Sequence, residues 1–244
     1  MKKALILAVL LVCSLPLASD AQMLQGIVGA SHAISAGMSI LQSPSTTTSS
    51  SGTGTVAVTT ASTTAGSMLI FWSGGVSYTG VIGNVGAAWT SITSLTGTAA
   101  FYLSQYTTIA GSVYYLCNAP AGITTVTGSG ANINYEGESV TVIEVAGASA
   151  TGCLENSAAT LASASGTMTS TSIAISGNTT LIGLAGATNV SSIAVGSGYT
   201  QASKNLNASG VDWVAEYKLN TTSTPQTATV TSSTGGGVAI LAVH

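Results

Sequence analysis

The chain has 244 residues but only four Lys, no Arg and seven acidic residues, for a formal net charge of −3. Two basic residues remain beyond the first turn of the chain, so a phosphate-tracking surface for nucleic acid or for anionic lipid headgroups is excluded as a reading. The mean hydropathy of +0.52 reflects missing charge rather than a membrane span, since later apolar runs such as Leu181 to Ala187 fall far short of the roughly 20 residues a helix needs to cross a bilayer.

In chain order, residues 1–21 read as a secretory signal. Lys2 and Lys3 precede an apolar run from Ala4 to Leu17, and Ser19-Asp20-Ala21 offers small residues at a cleavage site. The mature chain is expected to begin at Gln22, which leaves Lys204 and Lys218 against six acids, a net charge of −4. Cys13 is discarded with the signal. Residues 22–37 form an apolar, Gly/Ala-rich lead whose period suits a helix and short strands equally. A strand is expected at Met38 to Gln42, then a flexible Ser/Thr/Gly loop from Ser43 to Gly54.

Six short strands follow in the first half: Thr55 to Ala61, Met68 to Ser73, Ala88 to Thr93, Ser112 to Cys117, Ile123 to Gly128 and Ser139 to Ala146. The unbroken apolar run Met68 to Ser73 is expected to be central and buried on both faces. Ile123 to Gly128 is expected to form a hairpin with the strand before it. Gly147 to Ser165 reads as a link. The second half offers strands at Thr171 to Ser176, Thr180 to Ala185, Tyr199 to Ser203, Asp212 to Asn220, Gln226 to Ser232 and Gly237 to Val243.

The two halves repeat one another. Gly66 to Gly74 is answered by Gly177 to Gly186, Tyr115 to Asn118 by Tyr217 to Asn220, Thr125 to Thr127 by Thr229 to Thr231, and Val140 to Val145 by Val238 to Val243. The order is kept throughout. The expected fold is therefore all-β: a jelly-roll-like β-sandwich of two antiparallel sheets, residues 38–244, in which equivalent strands of halves 38–147 and 166–244 interleave.

The stretch from about Met38 to His244 also resembles a jelly-roll-like family of uncharacterised secreted and phage-associated proteins. The residues that carry the likeness are Ala65 to Ile70, Tyr114 to Gly122, Thr124 to Thr127, Val142 to Gly147 and Gly196 to Thr200. The resemblance implies the fold and a surface or extracellular setting, and implies no reaction. It places Glu155 at an acidic position in the link, and Cys153 where the family commonly has Pro.

Cys117 and Cys153 are a pairable number with one connectivity in an oxidising compartment, so a disulfide is expected, with two buried free thiols as the alternative. No catalytic residue is assigned. His32 and His244 accompany no Gly-x-Ser-x-Gly elbow, and no His, Cys or Asp spacing suits a metal, so neither metal nor cofactor is expected. Tyr78 and Tyr135, with Glu136 beside the latter, are candidates for holding a sugar by stacking and hydrogen bonding. Asp212, Glu216 and Lys218 alternate with Trp213, Ala215 and Tyr217, and are expected on a solvated face. Glu144 interrupts an apolar strand, and is expected to be a half-buried carboxylate accepting backbone hydrogen bonds from a nearby loop.

The function expected is a secreted, non-enzymatic structural or adhesive protein of the cell surface, partnered by itself through residues 22–37 or by surface glycans. A carbohydrate-binding module is the alternative. A glycoside-active enzyme using Glu136, Glu138 or Glu144 is the second alternative, and an outer-membrane barrel is a weaker reading still.

Overall fold

The structure is a computed structural model that describes residues 37–48, 52–73, 80–92, 112–133, 138–162, 165–188, 191–206, 211–222 and 225–244. Residues 1–36, which hold the expected signal and all of the expected lead but Gly37, lie outside the described residues. Every regular element among the described residues is a β-strand. The first half carries β1 (Ser39–Gln42), β2 (Ser45–Thr48), β3 (Gly52–Thr59), β4 (Met68–Ser73), β5 (Gly80–Gly83), β6 (Thr90–Ser91), β7 (Ser112–Leu116), β8 (Thr125–Ile133) and β9 (Glu138–Ala146). The second carries β10 (Leu154–Ala162), β11 (Gly166–Thr169), β12 (Thr179–Thr188), β13 (Ile193–Val195), β14 (Thr200–Asn205), β15 (Val211–Thr221), β16 (Thr229–Ser232) and β17 (Gly236–Val243).

These strands form four antiparallel sheets rather than the two expected. The first half builds β1-β9-β4-β7-β6, with β2 also on β9, and a smaller sheet β3-β8-β5. The second half builds β10-β17-β12-β15-β14 and a smaller sheet β11-β16-β13. No sheet mixes strands of the two halves, so the equivalent strands do not interleave. Instead, the second half repeats the strand order of the first. With β1 and β2 taken together as one position, strands one, eight, three, six and five lie side by side in the larger sheet. Strands two, seven and four make the smaller one.

Local conformation repeats as well. Gly66 and Gly177, ahead of β4 and β12, take positive φ of 83° and 111°. Asn118 and Asn220, at the ends of the matched Tyr-containing segments, take 51° and 52°. Asn tolerates this left-handed region better than most residues do.

Three apolar layers hold the sheets. Side chains alternate across a strand, so β4 sends Met68, Ile70 and Trp72 one way and Leu69 and Phe71 the other. Leu69 and Phe71 meet Val56, Val58, Val81 and Val126 of the smaller sheet. On β12 and β17, Leu181, Ala185, Val238 and Ile240 meet Met168, Ile193 and Val230 in the same way. Met68, Ile70 and Trp72 instead join Ile182, Leu184, Trp213, Leu241 and Val243 in a central layer between the two larger sheets. The larger sheets are thus covered on both faces, and Met68–Ser73 and Gly236–Val243 are buried at every position. The double burial expected of Met68 to Ser73 has this origin.

Several expected boundaries shift. The Ser43 to Gly54 tract is strand over much of its length, because Ser45–Thr48 pair with Thr141 to Glu138 and β-branched Thr suits the pleat. Pro44 makes the corner, its carbonyl accepting the Val142 N–H at 3.0 Å and the Thr141 hydroxyl at 2.8 Å. β8 pairs with β3 and β5, not with β7, since the chain changes sheets at Ala119 to Ile123. The link holds β10, an edge strand on β17. Thr171 to Ser176 is not a strand but a loop with one bridge, Ile173 to Gln226.

Candidate functional site

Buried carboxylates are the chemically distinctive feature of the described residues. Glu144 sits on β9 opposite Gln42 of β1, and is almost fully buried. Its Oε1 accepts the Thr64 N–H at 2.7 Å and the Ser67 hydroxyl at 3.0 Å, and its Oε2 accepts the Gln42 side-chain amide at 2.5 Å. Gln42 also donates to the Ala61 carbonyl at 3.1 Å and accepts the Ala61 N–H at 2.8 Å. The expectation of a carboxylate anchoring a loop holds, with burial deeper than half. Gln42, Thr64 and Ser67 lie in Ser/Thr-rich stretches where the sequence gives no signal for such a cluster.

Glu216 overturns its expectation. It and Asp212 are buried, not solvated, because the smaller sheet β11-β16-β13 covers the face that alternation alone assigns to water. Lys218, nearer the strand end, is half-buried. Glu216 pairs with Gly183 of β12, and a Cβ on Gly183 would stand 2.6 Å from the Glu216 Cγ and Oε1. The bare glycine therefore makes the room for this side chain. Glu216 Oε2 accepts the Gly196 N–H at 2.7 Å. Burial pushes the carboxyl up to about 7, with backbone hydrogen bonds from Gly196 and Thr229 offsetting part of the rise. Tyr199 closes the same corner by donating its hydroxyl to the Thr227 carbonyl at 2.8 Å. Burial, and then the neighbouring Glu216, hold its phenol well above the usual range.

Glu155 lies at the bulge of β10. It accepts the Ser176 N–H at 2.5 Å and the Thr179 hydroxyl at 3.0 Å, and stands 3.8 Å from the His244 imidazole. Partial burial works to raise its carboxyl, but the Ser176 and Thr179 hydrogen bonds and the His244 charge together hold it below the ordinary value. The adjoining turn carries the disulfide Cys117–Cys153, with Cα atoms 5.7 Å apart. Cys153 is buried in the central layer, and its carbonyl accepts the His244 N–H at 3.1 Å.

Of the expected ligand-binding residues, Tyr78, Tyr135 and Glu136 lie outside the described residues. Glu138 opens β9. Trp72 is core as expected, and Trp89 packs half-buried against the outer layer of the first half. Among the described residues no group of three His, Cys, Asp or Glu side chains is placed to hold a metal ion, and no helix is long and apolar enough to cross a membrane. Glu144, Glu216 and the partly exposed Glu155 lie on different strands, each bound to a loop backbone. Chemically, each accepts a backbone N–H from a loop, those of Thr64, Gly196 and Ser176 in turn. Comparison with protein-family models, with curated proteins and with solved structures finds no match to this chain.

Proposed function

We propose that the chain is a secreted, non-enzymatic structural or adhesive protein built from two copies of one jelly-roll unit. The observation that carries the reading is the central apolar layer, which joins the two larger sheets face to face. Strands one, eight, three and six in one sheet, with two, seven and four facing them, follow the jelly-roll order, strand five having moved beside strand six. A stack of four sheets filled by three apolar layers resists deformation, and the cysteine pair ties the first half to the turn that leads into the second. The outward strands of the smaller sheets show Thr rather than charge, as at Thr167, Thr169 and Thr231. A sparsely charged surface has little of the repulsion that keeps most proteins apart, which favours assembly with copies of itself. Kinship with the secreted and phage-associated family belongs to this proposal, and rests on the motifs quoted for it.

The test is the mass distribution of the mature chain by light scattering, with negative-stain microscopy. Regular oligomers or filaments are expected, and deletion of residues 22–37 is expected to leave folded monomers. A full-length monomer that instead binds a glycan array, and loses that signal in Tyr78→Ala or Tyr135→Ala, replaces this reading with the carbohydrate-binding one.

A further inference from the structure

Glu144 does more than hold a loop: a hydroxyl and a carboxamide converge on its two oxygens. The hydroxyl of Ser67, a potential nucleophile, lies 3.0 Å from its Oε1 and shares its one proton between that oxygen and the Thr64 carbonyl at 2.8 Å. Its Oε2 accepts the carboxamide nitrogen of Gln42, a potential leaving group. The carbonyl oxygen of the same carboxamide already accepts the Ala61 N–H at 2.8 Å, where negative charge would gather during attack on the carbon. A base on the nucleophile, an acid on the leaving group and a donor on the developing oxyanion are the three supports that acyl transfer needs. One carboxylate supplies the first two.

We propose that Ser67 and Gln42 form an intramolecular ester, with Glu144 as the group that moves the proton. The Ser67 Oγ bonds to Gln42 Cδ while Glu144 takes the hydroxyl proton. The charge on the Gln42 oxygen is held by the Ala61 N–H. The tetrahedral carbon then collapses, the Cδ–Nε2 bond breaks, and Glu144 returns the proton to the departing nitrogen, which leaves as ammonia. Glu144 ends as it began, and no oxidant, reductant or cofactor is consumed. The burial of Ser67 and Glu144 excludes water from the hydroxyl and carboxylate side of the reaction.

The second half shows why the reaction is confined to the first. Register places Asn156 and Ala242 where the first half has Gln42 and Glu144. Asn156 donates its amide to the Ala174 carbonyl at 3.1 Å, and the facing Ala242 has no group to move a proton. The ester would fasten β1, an edge strand, to the residue that immediately precedes the central strand β4.

The test is a peptide map of the folded, mature full-length chain. A branched peptide containing residues 42 and 67, lighter than its two parts by one ammonia, is expected. Mild alkali should part it and leave Glu at position 42. Ser67→Ala and Glu144→Gln should each give linear peptides with Gln42 intact. The intact mass alone is not the readout, since a mature N-terminal Gln22 loses the same ammonia by cyclising. Recovery of unmodified, linear Gln42 from the wild-type protein, after prolonged incubation in the folded state, overturns the proposal whatever the variants do.

Discussion

In the first half the loop leading into β4 hangs on Glu144 of β9, whereas in the second half the loop leading into β12 hangs on Glu155 of β10. The neighbouring amides correspond more closely. Gln42 bonds the Ala61 carbonyl, and Asn156 bonds the Ala174 carbonyl, from matching register positions. What recurs is the need for an acceptor at a backbone N–H beside the sheet edge, and either flanking strand can supply it. The environments differ in consequence. Glu144 is sealed in and makes three hydrogen bonds, while Glu155 stays partly open to solvent beside His244. A repeated strand order thus fixes where polar groups must be satisfied and leaves open which residue does so.

The halves are separate in sheet topology but share the central apolar layer. Trp213→Ala is expected to cost about 3–5 kcal/mol by removing a fully buried ring. Urea denaturation followed by hydrogen exchange should show both halves opening in one lowered transition. A first half that keeps its own unchanged midpoint would show that the halves fold independently. Next in size, replacing both Cys117 and Cys153 by Ser should cost about 3–4 kcal/mol, since the bridge closes a loop of 36 residues. Thermal unfolding with and without reductant checks that figure.

Glu216→Gln is expected to stabilise the second half above neutral pH by about 2–3 kcal/mol. The sign follows from a folded-state value of about 7 against 4.5 when exposed. Between those pH values the folded chain keeps a proton that the unfolded chain has lost, so stability falls as pH rises through the window and then levels off. Denaturant midpoints from pH 4 to 8 should show that slope in the wild type and lose it in Glu216→Gln. The smallest contrast is between the two clamps. Glu144→Ala should cost about 2–3 kcal/mol because it strands buried donors, and Glu155→Ala about 1 kcal/mol or less because water can replace it. Glu155 also has the opposite acid response from Glu216. Its lowered value means that its contribution is present above 4.5 and is lost as pH falls below it.

The sequence carries the all-β class and the doubled order of strands because both follow from apolar runs. Met68 to Ser73 and Gly237 to Val243 are continuous, short and bounded by turn residues, a pattern that suits a strand covered on both faces. The number of sheets does not follow from such runs, since a two-faced strand is equally at home in one interleaved sandwich and in a stack. The same ambiguity misplaced Glu216: alternation along Asp212 to Lys218 separates two faces without telling what covers the second. β10 escaped notice because Asn156 to Ala159 is built of small residues, and its strand character comes from pairing with β17. At the Glu144 cluster the carboxylate stood out against its apolar neighbours, but Gln42, Thr64 and Ser67 are brought to it from up to 102 residues away. Such partners are invisible until topology is known. Gly183 gave no warning either, since its meaning depends on which side chain faces it.

The face carrying Met68, Ile70 and Trp72 has a temporal consequence. Synthesis runs from the N-terminus, so every strand of the first half exists before the strands that cover this face have been made. Until Ile182, Leu184, Trp213 and Leu241 arrive, that growing half presents a tryptophan and several aliphatic side chains to whatever is nearby. A first half that folds ahead of the second is therefore prone to aggregate until this face is covered.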